Sequence, residues 1–136
     1  MAVESRWTLQ HLLHDIVGWT GVKDMCTGYG ACGSCTVIMN GRPILTCLTL
    51  AEDADGAVIR TAEGIAKTNH ALVEAYDIYQ CSQCGYCTPG FICTVQALLD
   101  KKPKPTEADI RDALAGNLCR CGTYPQHIKA ILALTK

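Results

Sequence analysis

Apolar residues recur at helical spacing from the start of the chain. Leu9, Leu12, Leu13, Ile16 and Val17 fall at i, i+3, i+4, i+7 and i+8, which predicts a helix over 8–17. Thr8 is placed to cap it and Gly18 to end it. The pattern then changes to two β-rich runs, 36–39 and 44–47, on either side of Asn40-Gly41, which predicts a hairpin. Pro43 puts the return strand at an edge or a bend. A short strand is predicted over 58–61. Residues 1–65 read as a small α+β unit.

From 66 to 136 the helical period dominates. A helix over 68–79 has Leu72, Val73, Tyr76 and Tyr79 on one side. A second, 89–101, buries Phe91, Ile92, Val95, Leu98 and Leu99, with Thr88 as cap and Pro89 as first residue. A third starts at Thr106, which pairs with Asp109 in a capping box, and ends by Gly116. A fourth starts near Pro125 and carries Ile128, Ile131 and Leu132. Four short helices with short connections predict a bundle. A cysteine pair precedes a helix start twice, at Cys84–Pro89 and at Cys119–Pro125. Helix starts offer free N–H groups and about half a positive charge, so two facing one point suit an anionic centre.

The composition narrows the function classes. The chain has 136 residues, 49% hydrophobic and 18% charged, with a net charge of −1. That balance lends no electrostatic support to a nucleic-acid partner. No apolar run approaches the ~18 residues of a membrane span, and no basic-then-apolar leader opens the sequence, so a cytoplasmic location is expected. Ten cysteines in such a chain point to metal binding rather than disulfides.

Eight of the ten sort into two sets of four. Cys26, Cys32, Cys35 and Cys47 are spaced C-x5-C-x2-C-x11-C, close to the plant-type ferredoxin spacing for a [2Fe–2S] cluster. Gly28, Gly30 and Gly33 let that loop wrap tightly and aim N–H groups at sulfur. Cys84, Cys87, Cys119 and Cys121 are spaced C-x2-C-x31-C-x-C. A Cys-x-Cys pair is cramped for two corners of one tetrahedral zinc, whereas two irons sharing four thiolates relax that constraint. An oxidised cluster of this kind carries about −2 charge, which suits the two helix starts. Structural zinc on either set is the alternative. A thioredoxin-like dithiol at Cys81 and Cys84 lacks its βαβ surroundings, and Rieske ligation lacks a Cys-x-His pair. Cys93 reads as a small core residue. His11, His14, His70 and His127 read as surface or structural, and Trp7 and Trp19 as packing.

These residues resemble a known family. Gln83-Cys-Gly-Tyr-Cys-Thr-Pro-Gly90 and Gly116-Asn-Leu-Cys-Arg-Cys121 are similar to the signature of the small iron–sulfur subunit of the molybdenum hydroxylases, the xanthine oxidase family. Thr20-Gly-Val-Lys23 and Cys32-Gly-Ser-Cys-Thr-Val37 are similar too, and the likeness spans about 8–134. It implies a ferredoxin-like β-grasp domain over 1–65 and a helical domain over 66–136, each with one [2Fe–2S] cluster. It implies a large partner subunit holding a molybdenum–pterin cofactor, approached by Gln83 and Cys121, and onward transfer to FAD or a cytochrome.

Three departures from the family pattern are visible. Cys26 and Cys32 enclose five residues where the family has four. Only seven residues precede Thr8, where the family has a longer β-hairpin, so a first strand is missing or a partner covers that edge. The ending Cys121-Gly-Thr-Tyr124 looks like that of aldehyde- and N-heterocycle-oxidising members. The expectation is an electron-transfer subunit of a molybdenum-containing oxidoreductase with no catalytic residue of its own. The alternatives are a non-redox zinc-binding interaction module and a free-standing ferredoxin shuttle.

Overall fold

The computed structural model describes residues 2–136. Thr8 starts the first helix, α1 (Leu9–His11), by accepting the His11 N–H at 3.1 Å. The helix then widens into a π turn over Leu12–Ile16, and the Val17 N–H reaches back five residues to the Leu12 carbonyl. That widening breaks the expected apolar stripe. Leu9 and Leu13 are buried, but Ile16 and Val17 swing outward and are 46% and 38% exposed.

Strands β1 (Thr36–Met39), β2 (Arg42–Leu45) and β3 (Ile59–Arg60) form one antiparallel sheet in the order β2-β1-β3. Asn40 and Gly41 both take left-handed angles, φ 50° and 78°, as a tight hairpin turn requires. Pro43 lies on edge strand β2, opposite Ile38. The return strand stops at Leu45, two residues short of the expected end. Thr46 turns both its N–H and its hydroxyl to the Cys35 carbonyl, at 3.4 and 2.9 Å, and so leaves the ladder. Cys47 therefore sits on a 3-10 turn, Thr46–Leu48, rather than on a strand. A second 3-10 turn covers Glu52–Ala54. Thr8 bridges to Leu50, and the Leu9 N–H donates to the Thr49 carbonyl at 2.7 Å, which ties the start of α1 to this segment.

Five helices follow rather than four: α2 (Ala62–Thr68), α3 (His70–Ile78), α4 (Thr88–Lys101), α5 (Glu107–Leu114) and α6 (Tyr124–Leu134). The unforeseen one, α2, has a single fully buried side chain, Ile65, and no apolar stripe to betray it. Asn69 separates α2 from α3 and caps α3 by accepting the Leu72 N–H at 3.2 Å. On α3 the buried face is Leu72, Ala75 and Tyr76, while Val73 points outward. Cys87, not Thr88, is the N-cap of α4, with Pro89 in the first turn. Thr106 and Asp109 form the reciprocal capping box of α5.

Two cores result. Leu9, Leu13, Val22, Cys35, Val37 and Cys47 form the smaller one. The larger one is built from α2–α6 around Phe91, Val95, Ile110 and Ile131, and includes Ile38. Successive side chains of a strand point to opposite faces. Val37 and Ile38 therefore belong to different cores, and β1 packs on α4 with both faces covered. Helix α2 straddles residue 65, and Ile65 lies in the helical core. An ion pair from Arg60 of β3 to Asp100 of α4 (2.6 Å) continues through Gln96 to Asn69, both steps at 2.7 Å. Among the described residues the architecture is a mixed one of six α-helices and a three-stranded sheet. Among the described residues no helix is long and apolar enough to cross a membrane.

Candidate metal centres

The first cysteine loop runs between α1 and β1. Its backbone takes left-handed angles at Thr27, Gly28, Gly30 and Gly33. Thr27 is the costly one, since only glycine visits that region freely. It lies within the five-residue Cys26–Cys32 span. The Cys26 thiol meets that of Cys32, and the Cys47 thiol meets that of Cys35 and feels the charge of Cys26. The four residues of the first set are thus brought together. Burial pushes Cys26 up, but the Ala31 N–H, the Cys32 thiol and the Cys32 and Gly30 N–H groups outweigh it and hold it at about 7. Cys47 is pushed up to about 12 by burial, the Cys35 thiol and the Cys35 charge, against one N–H from Gly30. Ser34 adds a hydroxyl 3.2 Å and an N–H 3.5 Å from the Cys32 sulfur.

The second set joins two helix starts. Cys84 and Cys87 precede α4, and Cys119 and Cys121 precede α6. The Cys87 thiol meets that of Cys119 and feels the charge of Cys84. Cys87 is pushed up to about 12 by burial first, then by those neighbours. Burial also pushes Cys119 up, but the Thr123 hydroxyl and N–H, the Cys87 thiol and the Cys121 N–H bring it to about 7. The Thr123 hydroxyl and N–H stand 3.1 and 3.4 Å from the Cys119 sulfur. The Cys119 N–H in turn donates to the Tyr124 hydroxyl at 2.7 Å. Cys121 is half-buried, and Cys84 and Gln83 are exposed.

The first set therefore brings four thiols together, and the second brings Cys84, Cys87 and Cys119 together with the Cys121 N–H beside them; in each, one thiol is drawn toward ionisation and one pushed away from it. Like charges at such range resist joint ionisation unless a cation supplies the balance. The donor chemistry fits a cysteine-ligated iron–sulfur cluster, whose sulfurs want N–H and O–H donors. Among the described residues no three His, Cys, Asp or Glu side chains are arranged around a single ion. In a [2Fe–2S] cluster each iron takes two protein ligands, so such a triple is not what it requires. Cys81 and Cys93 stand apart, fully buried; desolvation lifts Cys81 to about 11 and, with the Glu63 charge, Cys93 to about 12.

The two sets are also joined to each other. The Leu118 N–H donates to the Cys32 carbonyl at 2.9 Å. The Tyr86 hydroxyl donates to the Asp24 carbonyl at 3.1 Å and accepts the Asp24 N–H at 3.3 Å. A Cβ on Gly90 would run into the Gly33 carbonyl, so only glycine lets α4 approach the first loop this closely. Sequence reasoning did not find the donors Ser34 and Thr123. Their signal was a hydroxyl residue two and four positions after a ligand-type cysteine.

A family model described as a [2Fe-2S] binding domain matches residues 61–132. The nicotinate dehydrogenase small FeS subunit of Eubacterium barkeri is 46% identical over 126 residues, 91% of this chain and 80% of that one. The nicotine 6-hydroxylase small subunit of Paenarthrobacter nicotinovorans is 41% identical over 133 residues, 97% of this chain and 80% of that one. The chain belongs to the small iron–sulfur subunits of the molybdenum hydroxylases. Quinoline 2-oxidoreductase from Pseudomonas putida 86 shows the same fold: TM-score 0.91, 39% identity, 98% of this subunit and 84% of that chain. Aldehyde oxidoreductase from Desulfovibrio gigas matches with a TM-score of 0.92 at 36% identity, over 99% of this subunit but 15% of that longer chain. The iron–sulfur subunit is accordingly part of an oxidoreductase.

Proposed function

We propose that this subunit holds two [2Fe–2S] clusters and relays electrons from a molybdenum–pterin cofactor in a large partner subunit to FAD or another acceptor. Cys26, Cys32, Cys35 and Cys47 hold one cluster in a ferredoxin-like unit, nominally 1–65. Cys84, Cys87, Cys119 and Cys121 hold the other in a four-helix arrangement of α3–α6, within 66–136. Bound clusters of this kind supply one-electron transfer. The observation that carries the reading is the Leu118 N–H on the Cys32 carbonyl, which joins the two sets through one hydrogen bond and one peptide unit. Gln83 and Cys121 are the positions that face the partner's pterin, in keeping with the exposure of Gln83 and the partial exposure of Cys121. The names of the relatives point to nicotinate, nicotine and quinoline, which supports a partner acting on N-heterocycles.

Metal analysis of the purified chain tests this. Iron and inorganic sulfide in equal amounts, with visible absorbance, are the expected result. A colourless protein holding zinc would replace the reading with a non-redox module. Elution apart from any molybdenum-containing chain in native extract would make it a free-standing carrier.

A further inference from the structure

His127 is fully buried, and its ring stacks on Phe91 with centroids 4.1 Å apart and planes 3° apart. Its Nε2 lies 3.1 Å from Thr123 Oγ1, which lies 3.1 Å from Cys119 Sγ. A hydroxyl has one proton to give. If Thr123 gave it to His127, an oxygen and a thiolate would face each other with no proton between them. The arrangement closes when Nε2–H donates to Oγ1 and Oγ1–H donates to Sγ. Either tautomer leaves Nδ1 without a partner, so the oxygen–sulfur contact decides the choice. Burial keeps the imidazole neutral by holding its pKa down at about 4.

The first set shows the same device with a different second donor. Ser34 Oγ accepts the Met25 N–H at 3.1 Å, which frees its proton for Cys32 Sγ at 3.2 Å. In the helical unit a side chain takes the place of that backbone amide.

We propose that His127 is a positioning residue that, through the Thr123 hydroxyl, fixes a hydrogen bond on the Cys119 sulfur and so sets the reduction potential of the helical-unit cluster. This rests on Cys119 being a ligand, as inferred above. A hydrogen bond to thiolate sulfur draws off charge, favours the more negative reduced state and raises the potential.

The test is a redox titration of the full chain with its clusters, followed by electron paramagnetic resonance. His127→Phe keeps the stacked ring and removes Nε2–H. The helical-unit cluster is expected to shift to a more negative potential while the other stays fixed. Thr123→Val shifts it further, and Thr123→Ser and His127→Gln bring it back toward the wild-type value. Unshifted potentials in His127→Phe and Thr123→Val would overturn the inference while leaving the two-cluster reading intact. Loss of the cluster in His127→Phe would show a purely structural role and overturn it as well. Retention of both signals in Cys119→Ala would overturn the ligand assignment, and this inference with it.

Discussion

Leu118 and Cys32 are hydrogen-bonded, amide to carbonyl, at 2.9 Å. The bond places the Asn117–Leu118 peptide, one residue ahead of Cys119, directly against a cysteine of the first loop. Asn117 stands beside it, buried, with its side-chain amide 3.4 Å from the Gly33 carbonyl. The contact is made by backbone atoms, so it depends on the two loops approaching closely and not on the identity of residue 118.

The ligand sets predict a clean separation of variants. Cys84→Ala or Cys121→Ala removes the helical-unit cluster and leaves the other signal in electron paramagnetic resonance. Cys81→Ser and Cys93→Ser leave both signals, because those thiols lie outside the two sets. Two signals in Cys121→Ala would refute the grouping.

Gly90→Ala is destabilising, because its Cβ meets the Gly33 carbonyl and backbone cannot step aside as a side-chain end does. Overpacking of this kind costs about 1–3 kcal/mol. Thermal unfolding of the loaded chain measures it, and an unchanged Tm would mean the loop and α4 are not in contact.

His127 makes stability depend on pH. Its pKa in the folded chain lies near 4, below the ordinary 6.5, so the unfolded chain takes up the proton first. The contribution is complete above pH ~6.5, is lost as the pH falls toward about 4, and changes no further below that. A gap of that width corresponds to ~3 kcal/mol. Denaturant midpoints of wild type and His127→Phe between those pH values should diverge, with the variant giving the flatter line.

Removal of iron should unfold both halves. Each half buries too small a core for independent stability, so ligation supplies part of its folding energy. A chelator under reducing conditions is expected to lower the far-ultraviolet circular dichroism in step with the visible absorbance. Retention of the full helical signal by the metal-free chain would contradict this.

Much of this was legible in the chain itself. The hairpin at Asn40-Gly41 and the capping box at Thr106 are local devices, complete within a few residues. The cysteine spacings and their flanking motifs led to the family because ligand chemistry constrains sequence strongly. Reading failed where the deciding contact was distant or the local signal thin. Helix α2 carries only Ile65 inward, and Cys47 left its strand because Thr46 bonds Cys35 across the hairpin. Ile16 and Val17 fit an α period that the π turn does not keep.

Composition, spacing and motif thus determined on their own what kind of centre this protein is built to hold and which cysteines are candidates for it. Only the tertiary structure decided that the two loops meet at Cys32 and Leu118, and that the His127 ring is buried against Phe91. Both are contacts between segments far apart in the chain, and their geometry depends on how the helices pack on one another and how α4 meets the first loop. A sequence records which groups can bond; distances between segments far apart in the chain exist only once the cores have closed.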